Sequence, residues 1–510
     1  MIIQGRDITG DLRESADVCI IGSGCGGGAS AKILAEAGRR VVVIEEGGYF
    51  TAKDFDGTEE KAYQNLYQQR AGQATADLGV TILQGRCIGG SSTVNWCTTL
   101  RTPDWVLDAW ARTHGVQGLG PRDLEPYFER IERYLNATPE PEEHHSPNNR
   151  IILDGARSLG YHVRVNNRNV RDCVRAGACG LGCPFDAKLG VDVTYLPDAE
   201  RAGALIYAQL RAEKILVRGP LKQVHGVILD ETTQKPRATF TIEAPVVIVS
   251  GSAIHSPVLL ERSGLANTSN QRGRNLTLHL TTAVVGLFDR VIYAGGGIPQ
   301  SVLCDEFLNA EGDGGGFWIE SVPVYPALAS LSLPSFGSFH SDMMQRYPYL
   351  GASIVLVKET DSSGSVRATE SGRPVISYRL GQRDRRSLQR GIEQAAHIHF
   401  AAGARSVMTL HVLPTRFHAP EDIRSTLATA RWGMNDLSLF SAHPLGTCRM
   451  GGHRQTSVVD SHCQTHDVAG LFVIDGSVTP TSLGVNPQMT ILAIAEKSAE
   501  WIAEHFHTFS

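Results

Sequence analysis

Two stretches near the C-terminus carry the residues best suited to chemistry. His443 lies in Ser441-Ala-His-Pro-Leu-Gly-Thr-Cys-Arg-Met-Gly451, an imidazole set in a Gly/Pro turn. Further on, Ser482-Leu-Gly-Val-Asn-Pro-Gln-Met-Thr490 opens the last helix of the chain, and the pattern predicts Asn486 at the N-cap and Pro487 in the first helical position. Met489, Ile491, Leu492, Ile494 and Ala495 keep helical apolar spacing. A neutral imidazole can take a hydroxyl proton near pH 7. An amide beside it can hold the same oxygen, and a helix N-terminus adds partial positive charge. His443, as base, and Asn486 are therefore the expected catalytic pair for taking a hydride from an alcohol. Pro487 and Met489 are expected at the cofactor.

Such a pair needs a hydride acceptor, and the N-terminal segment supplies a cradle for one. Asp17-Val-Cys-Ile-Ile21 reads as a buried strand, Gly22-Ser23-Gly24-Cys-Gly-Gly27-Gly28 as a loop, and Ala29–Ala37 as a helix ended by Gly38. A second strand, Val41–Ile44, leads into Glu45. Gly22 suits a tight turn, Gly24 close approach of backbone to a pyrophosphate, and Gly27 close helix–strand packing. The helix N-terminus faces the phosphates, and Glu45 can accept from a ribose hydroxyl. The motif does not separate NAD from FAD, but a carboxylate at residue 45 disfavours a 2′-phosphate and hence NADP.

Three other segments extend this frame. Gln84-Gly85-Arg86-Cys87-Ile88-Gly89-Gly90-Ser91-Ser92-Thr93-Val94-Asn95 is a loop of glycines and small hydroxyls, with Arg86, Gly90, Ser91, Val94 and Asn95 expected near a large ligand. Val246–Val249 is a buried strand running through small residues into a helix. Leu471-Phe-Val-Ile-Asp475-Gly476-Ser477 is another, with Asp475 and Gly476 at its carboxyl end, where ligands bind in doubly wound sheets.

The bulk properties set bounds. The chain has 510 residues, 42% hydrophobic and 20% charged, with a formal net charge of −5 and no basic block. A soluble globular protein with no nucleic-acid partner is the expectation. The start of the chain lacks the marks of a signal peptide, no apolar run is long enough for a transmembrane helix, and ten cysteines are too few for a disulfide scaffold. These point to a cytoplasmic, mostly reduced protein. Residues 137–149 read as a polar, proline-broken surface loop, and 354–366 as strand and turn of an antiparallel sheet. The aromatic segments Phe317-Trp318-Ile319-Glu320 and Pro334–His340 read either as a substrate wall or as ordinary core of the second domain.

From about residue 15 to its end the chain resembles the glucose–methanol–choline (GMC) oxidoreductase family, through the 22–27 loop, the 84–95 loop, the 246–264 segment and the 441–490 region. Within it, the chain is most similar to the long-chain alcohol oxidase and cholesterol oxidase branches. The resemblance implies an α/β fold: a doubly wound, Rossmann-like FAD-binding domain (1–110, 205–290 and 436–510), with an inserted α+β substrate domain built on an antiparallel sheet (111–204 and 291–435). It also implies FAD, an alcohol as small-molecule substrate, and O2 or an acceptor protein as electron sink. Some members tether the flavin through a histidine beside the asparagine of the second motif. Val94 stands there in this chain, so noncovalent FAD is expected. Several members carry a second histidine where this chain has Asn486.

Cys173-x5-Cys179-x3-Cys183-Pro184 leaves alternatives open. Its end is similar to the tail of a ferredoxin cluster motif, and three thiolates could hold a three-iron cluster. The segment resembles the cysteine region of cluster-bearing bacterial FAD-dependent glucose dehydrogenases. Buried thiols in a Gly-rich excursion, with or without a redox disulfide, are the other reading. Three activities follow as expectations: an FAD alcohol oxidase or dehydrogenase, a dehydrogenase passing electrons through an iron–sulfur cluster to a partner, and a non-redox lyase on the same fold.

Overall fold

The computed structural model describes residues 2–433 and 435–509. Its first organising element is a six-stranded, all-parallel sheet in the order Ile2–Gln4, Leu205–Ala208, Val41–Glu45, Val18–Ile21, Val246–Val249 and Leu471–Val473. The last four strands are buried at every residue. This explains their unbroken runs of Val, Ile and Leu: a parallel sheet is covered on both faces and has no polar side to alternate with. Helices Cys25–Glu36 and Gln488–His505 pack against each other beside it. Strands drawn from both ends of the chain thus meet at one side of the sheet, where Val18–Ile21 and the edge strand Leu471–Val473 flank Val246–Val249.

Residues 205–265 are not a simple βαβ continuation. Leu210–Arg218, Leu221–Leu229 and Pro236–Ala244 form an antiparallel meander, edged in parallel by Leu12–Ser15. Two short turns make antiparallel pairing the local outcome.

The second large sheet has nine strands. Its path runs Arg416–Phe417, Ser406–Thr409, Thr281–Leu287, Leu350–Val357, Phe317–Ser321, Val302–Cys304 and Val163–Val165, with Leu439–Ser441 and Val80–Ile82 off this path. All pairs are antiparallel except the last, Leu439–Ser441 with Val80–Ile82. Helices Gln382–Ala401 and Pro147–Ser158 pack on it. Thr281–Leu287, Val80–Ile82 and Leu439–Ser441, within stretches expected for the cofactor domain, pair here. The expected strand and turn at 354–366 divides in two: Leu350–Val357 is buried throughout, while Ser363–Ala368 leaves to form a separate hairpin with Pro374–Arg379. Among the described residues no helix is long and apolar enough to cross a membrane.

Candidate active site

A deep cleft runs between the carboxyl ends of the parallel strands and one face of the antiparallel sheet.

One end is the glycine cradle. Gly22 turns with φ +103°, and a Cβ at Gly27 would lie 1.9 Å from the Gly22 carbonyl and 3.2 Å from Ile20, so the helix meets its strand only because no side chain intervenes. A Cβ at Gly24 would meet only the Gly90 Cα, at 4.0 Å. That position is open on the ligand side. Gly22, Gly24, Cys25 and Gly26 border the cleft, so the N-terminus of Cys25–Glu36 presents backbone N–H groups to it. Glu45 borders it too, with Oε2 accepting from Ser23 N (3.0 Å) and Ser23 Oγ (2.8 Å) and Oε1 from Gly47 N (2.9 Å). Asp475 ties its own turn to the 252–256 segment: Oδ2 accepts from Ser252 N and Ser256 Oγ, and Oδ1 from Ser477 N.

Of the other residues expected at the cofactor, Gly90, Ser91, Val94, Asn95, Gly476 and Pro487 line the cleft. Four do not. Ser23 is fully buried, its hydroxyl spent on Glu45 and on Gly89 N. Gly27 serves packing. Arg86 turns outward to Glu46 and Gln234. Met489 faces the core from the first turn of its helix.

The catalytic end collects residues far apart in sequence. His443, on the turn after Leu439–Ser441, opens onto the cleft, and burial holds its imidazole down at about 4, hence neutral at pH 7. Its ring touches that of His279, with 3.1 Å between the two Nδ1 atoms. Asn486 does not cap the last helix as expected. That helix runs from Gln488, preceded by Pro487 in near-helical φ/ψ, and the Asn486 side chain accepts from none of its amides. The Asn486 side chain reaches across to the antiparallel sheet instead, Nδ2 donating to Glu320 Oε2 at 3.4 Å. Its Oδ1 is buried without a partner.

Glu320 is the residue that sequence reading undervalued. Strand alternation places Trp318 and Glu320 on the cleft side, opposite Leu356 and Ile354, while Phe317 packs beneath helix Gln382–Ala401 beside Gly391. The expected wall therefore reduces to its acid, and Phe336 of the second aromatic segment is 89% exposed. Glu320 is wholly buried. Oε2 accepts from Gln300 Nε2 (3.0 Å) as well as Asn486, and Oε1 has no partner. Burial raises its carboxyl to about 7, against the lowering effect of the Asn486 bond. An acid inside a strand otherwise reading Phe-Trp-Ile was the available signal. His279 gave none, since its partner nitrogens come from a different part of the chain.

The three cysteines do not converge. Among the described residues no group of three or more His, Cys, Asp or Glu is placed to hold a metal. Cys173 and Cys183 are half-buried. Cys179 packs in a small cluster with Cys97 and Val170, against which Cys173 also lies while Cys183 does not, and accepts from the buried Arg168 guanidinium at 3.7 Å. Cys97 beside it, then Arg168 and Lys188, lower its thiol from the ordinary value, against the raising effect of burial. The local geometry pairs Cys179 with Cys97, just after the second glycine loop, so the iron–sulfur expectation is not supported.

A parallel sheet with a glycine cradle, facing an antiparallel sheet across a cleft, defines a dinucleotide-dependent oxidoreductase. The family description GMC oxidoreductase matches residues 43–281 through its N-terminal part and 360–495 through its C-terminal part. The chain belongs to the GMC oxidoreductase family. It is 31% identical over 506 residues to an uncharacterised GMC-type oxidoreductase of Sinorhizobium fredii, covering 98% of this chain and 97% of the relative. It is also 31% identical over 508 residues to the long-chain-alcohol oxidase FAO4B of Arabidopsis thaliana, covering 95% and 66%. In fold it matches pyridoxine 4-oxidase from Mesorbium loti (TM-score 0.72, 20% identity, 96% and 99% covered). A formate oxidase variant of Aspergillus oryzae RIB40 matches similarly (TM-score 0.70, 17% identity, 98% and 99% covered).

The family's cofactor is FAD, and the residues present fit it. The space above Gly24 is what a Cβ would fill, the N-terminus of Cys25–Glu36 suits a pyrophosphate, and the buried Gln84 Oε1 along the cleft is unpartnered.

Proposed function

We propose that this protein oxidises the CH–OH group of an apolar or bulky alcohol, with FAD held noncovalently and with O2 or an acceptor protein taking the electrons. The observation that carries this reading is the convergence of His443, Asn486 and Glu320 at one end of the cleft whose other end is the glycine cradle. When bound, the flavin supplies the two-electron acceptor for the hydride leaving the carbinol carbon.

The protein's own part is to hold the hydroxyl and relieve it of a proton. Asn486 Oδ1 and Glu320 Oε1 are buried acceptors without partners, the arrangement expected where a substrate donor completes the site. The neutral His443 is the third group at that oxygen, and its tautomer decides whether it takes the proton or supports the oxygen as the proton leaves. Pro487 and Gln488 bring the N-terminal end of the last helix to the cleft, adding partial positive charge where negative charge accumulates. Leu83, Ile354, Leu356 and Phe440 line the cleft and match an apolar substrate body, as do relatives named long-chain-alcohol oxidases. Val94 borders the cleft where a tethering histidine would stand, which favours noncovalent FAD.

The test is anaerobic titration of the purified protein with primary, secondary, aryl and long-chain alcohols, followed by flavin absorbance. Bleaching by one class is expected, with colour returning on admission of air or an artificial acceptor. Flavin absorbance that no alcohol bleaches would overturn the reading.

A further inference from the structure

The stretch leaving the second glycine loop, Asn95-Trp96-Cys97-Thr98, has the cleft on one side and a pair of thiols on the other. Asn95, Trp96 and Thr98 border the cleft, whereas Cys97 is fully buried against Cys179 and Val170. The chain runs here beside residues 168–169: Thr98 pairs with Arg168 in an antiparallel bridge, and Asn169 N donates to Cys97 O at 3.3 Å. The Cys97 backbone lies in the left-handed region (φ 69°), which a non-glycine residue keeps only where its surroundings enforce it. Cys179 opens the short turn Cys179–Leu181 and keeps 9% exposure, so it is the less enclosed of the two.

Two buried cations hold this pair. Arg168, wholly buried, divides its guanidinium between Glu140 Oε1, through Nη1, and Cys179 Sγ, through Nη2 at 3.7 Å, while its Nε has no partner. Lys188 Nζ donates to Cys179 O (2.8 Å), to Asn95 O (3.3 Å) and to Thr93 O. One ammonium therefore clamps the Cys179 turn to the cofactor loop. The hydrogen bond from Cys97, then the charges of Arg168 and Lys188, favour a thiolate at Cys179, the reactive form of cysteine. Burial, and next to it Cys179 itself, keep the proton on Cys97. The oxidation of an alcohol uses neither sulfur. A thiolate set beside a protonated thiol is the arrangement in which one cysteine is oxidised and the other resolves it.

We propose that Cys97 and Cys179 form a redox modification site, in which a hydroperoxide oxidises Cys179, Cys97 closes a disulfide onto it, and the bond is felt at the cofactor loop. Cys179 Sγ attacks the terminal peroxide oxygen. The O–O bond breaks, an S–O bond forms, and the other oxygen leaves as water or an alcohol after taking a proton from solvent. Cys97 Sγ then attacks Cys179 Sγ. The S–S bond forms, the S–O bond breaks, and the oxygen departs as water with the Cys97 proton. The peroxide gains two electrons and the two sulfurs lose them. An external dithiol returns both to thiols by exchange.

The pairing can be read without turnover. The flavin-loaded protein is reduced, freed of reductant and treated with hydrogen peroxide; free thiols are then blocked in denaturant and the digest is mapped by mass spectrometry. One Cys97–Cys179 cross-link is expected, lighter than the two thiols by two hydrogens and removed by dithiothreitol. Cys97→Ser should leave Cys179 as a sulfenic acid that dimedone captures, and Cys179→Ser should leave Cys97 unoxidised. The flavin absorption bands should shift on oxidation and return on reduction, since Cys97 adjoins, and Lys188 holds, residues that border the cleft. Cys179 still free after peroxide, or linked instead to the half-buried Cys173 or Cys183, would overturn the pairing. A Cys97–Cys179 bond that forms and breaks without moving the flavin bands would overturn the coupling to the cleft. Mapping of the wild-type chain needs neither variant to fold, and it uses no alcohol, so its outcome is separate from that of the alcohol titration.

Discussion

Replacing Glu320 with glutamine should change how the stability of this protein depends on pH. The carboxyl is wholly buried, and burial raises it from an ordinary 4.5 to about 7. A shift of that size corresponds to roughly 3 kcal/mol. Between those two values the native state holds a proton that the unfolded chain releases, so stability falls as pH rises through the window and the loss is complete above about 7. Glutamine has the same shape and no ionisation. The amide left at the Oε1 position is a buried donor without a partner, which adds an offset of ~1–3 kcal/mol that does not vary with pH. Wild type minus variant should therefore change by roughly 3 kcal/mol between pH 4.5 and pH 8, in favour of the variant at high pH. With an unfolding entropy of about 2.1 cal/mol/K per residue, this chain should show a relative Tm shift of ~3 °C. Scanning calorimetry of both proteins at matched pH measures it, since all other titrations cancel in the difference. Tm curves that run parallel within about half a degree over the range would refute the reasoning, showing that Glu320 ionises as a solvated carboxyl does.

Other expectations follow from the same geometry. His443→Ala should lower the rate of flavin reduction by ~10²–10³-fold while flavin content stays near wild type, because it removes the imidazole from the reacting oxygen and leaves the cradle intact. Stopped-flow reduction and the flavin-to-protein absorbance ratio measure both. Gly24→Ala should fold normally, its Cβ meeting only Gly90 at 4.0 Å, yet bind less FAD because that Cβ projects into ligand space. Gly27→Ala should cost stability, about 1–3 kcal/mol or more, because its Cβ would lie 1.9 Å from a backbone carbonyl. Denaturation and flavin content of the two apoproteins separate these effects, and equal losses of stability would contradict the packing argument. Acid precipitation should release all yellow flavin into the supernatant, given Val94 at the tethering position. Flavin remaining with the pellet would show a covalent link.

The parallel sheet and its cradle were legible because they are local. A buried parallel strand reads as an apolar run, and a helix that must nearly touch its strand reads as glycine at fixed intervals. Both signals lie within the few dozen residues that fold together. His443 and Asn486 were legible through their motifs, but the role of Asn486 was not. Asn-Pro at the head of a helix has a local use as a cap, and only the approach of strand Phe317–Ser321 gave the amide a different partner in Glu320. Likewise, the cysteine spacing suggested a ligand set, whereas the folded chain set Cys179 beside Cys97 with Cys173 against the pair, left Cys183 outside that cluster, and placed no metal-holding group among the described residues.

By itself, then, the chain determined that a dinucleotide would be held and which imidazole and amide would stand near it. Those properties depend on residue type and short-range spacing. Tertiary structure decided what each group can do there. Residues 279, 320, 443 and 483–486 come from four separate segments. The tautomer of one ring and the ionisation of one carboxyl follow from which N–H groups and how little water these segments bring within about 3 Å of each other, a distance that the order of residues along the chain does not encode.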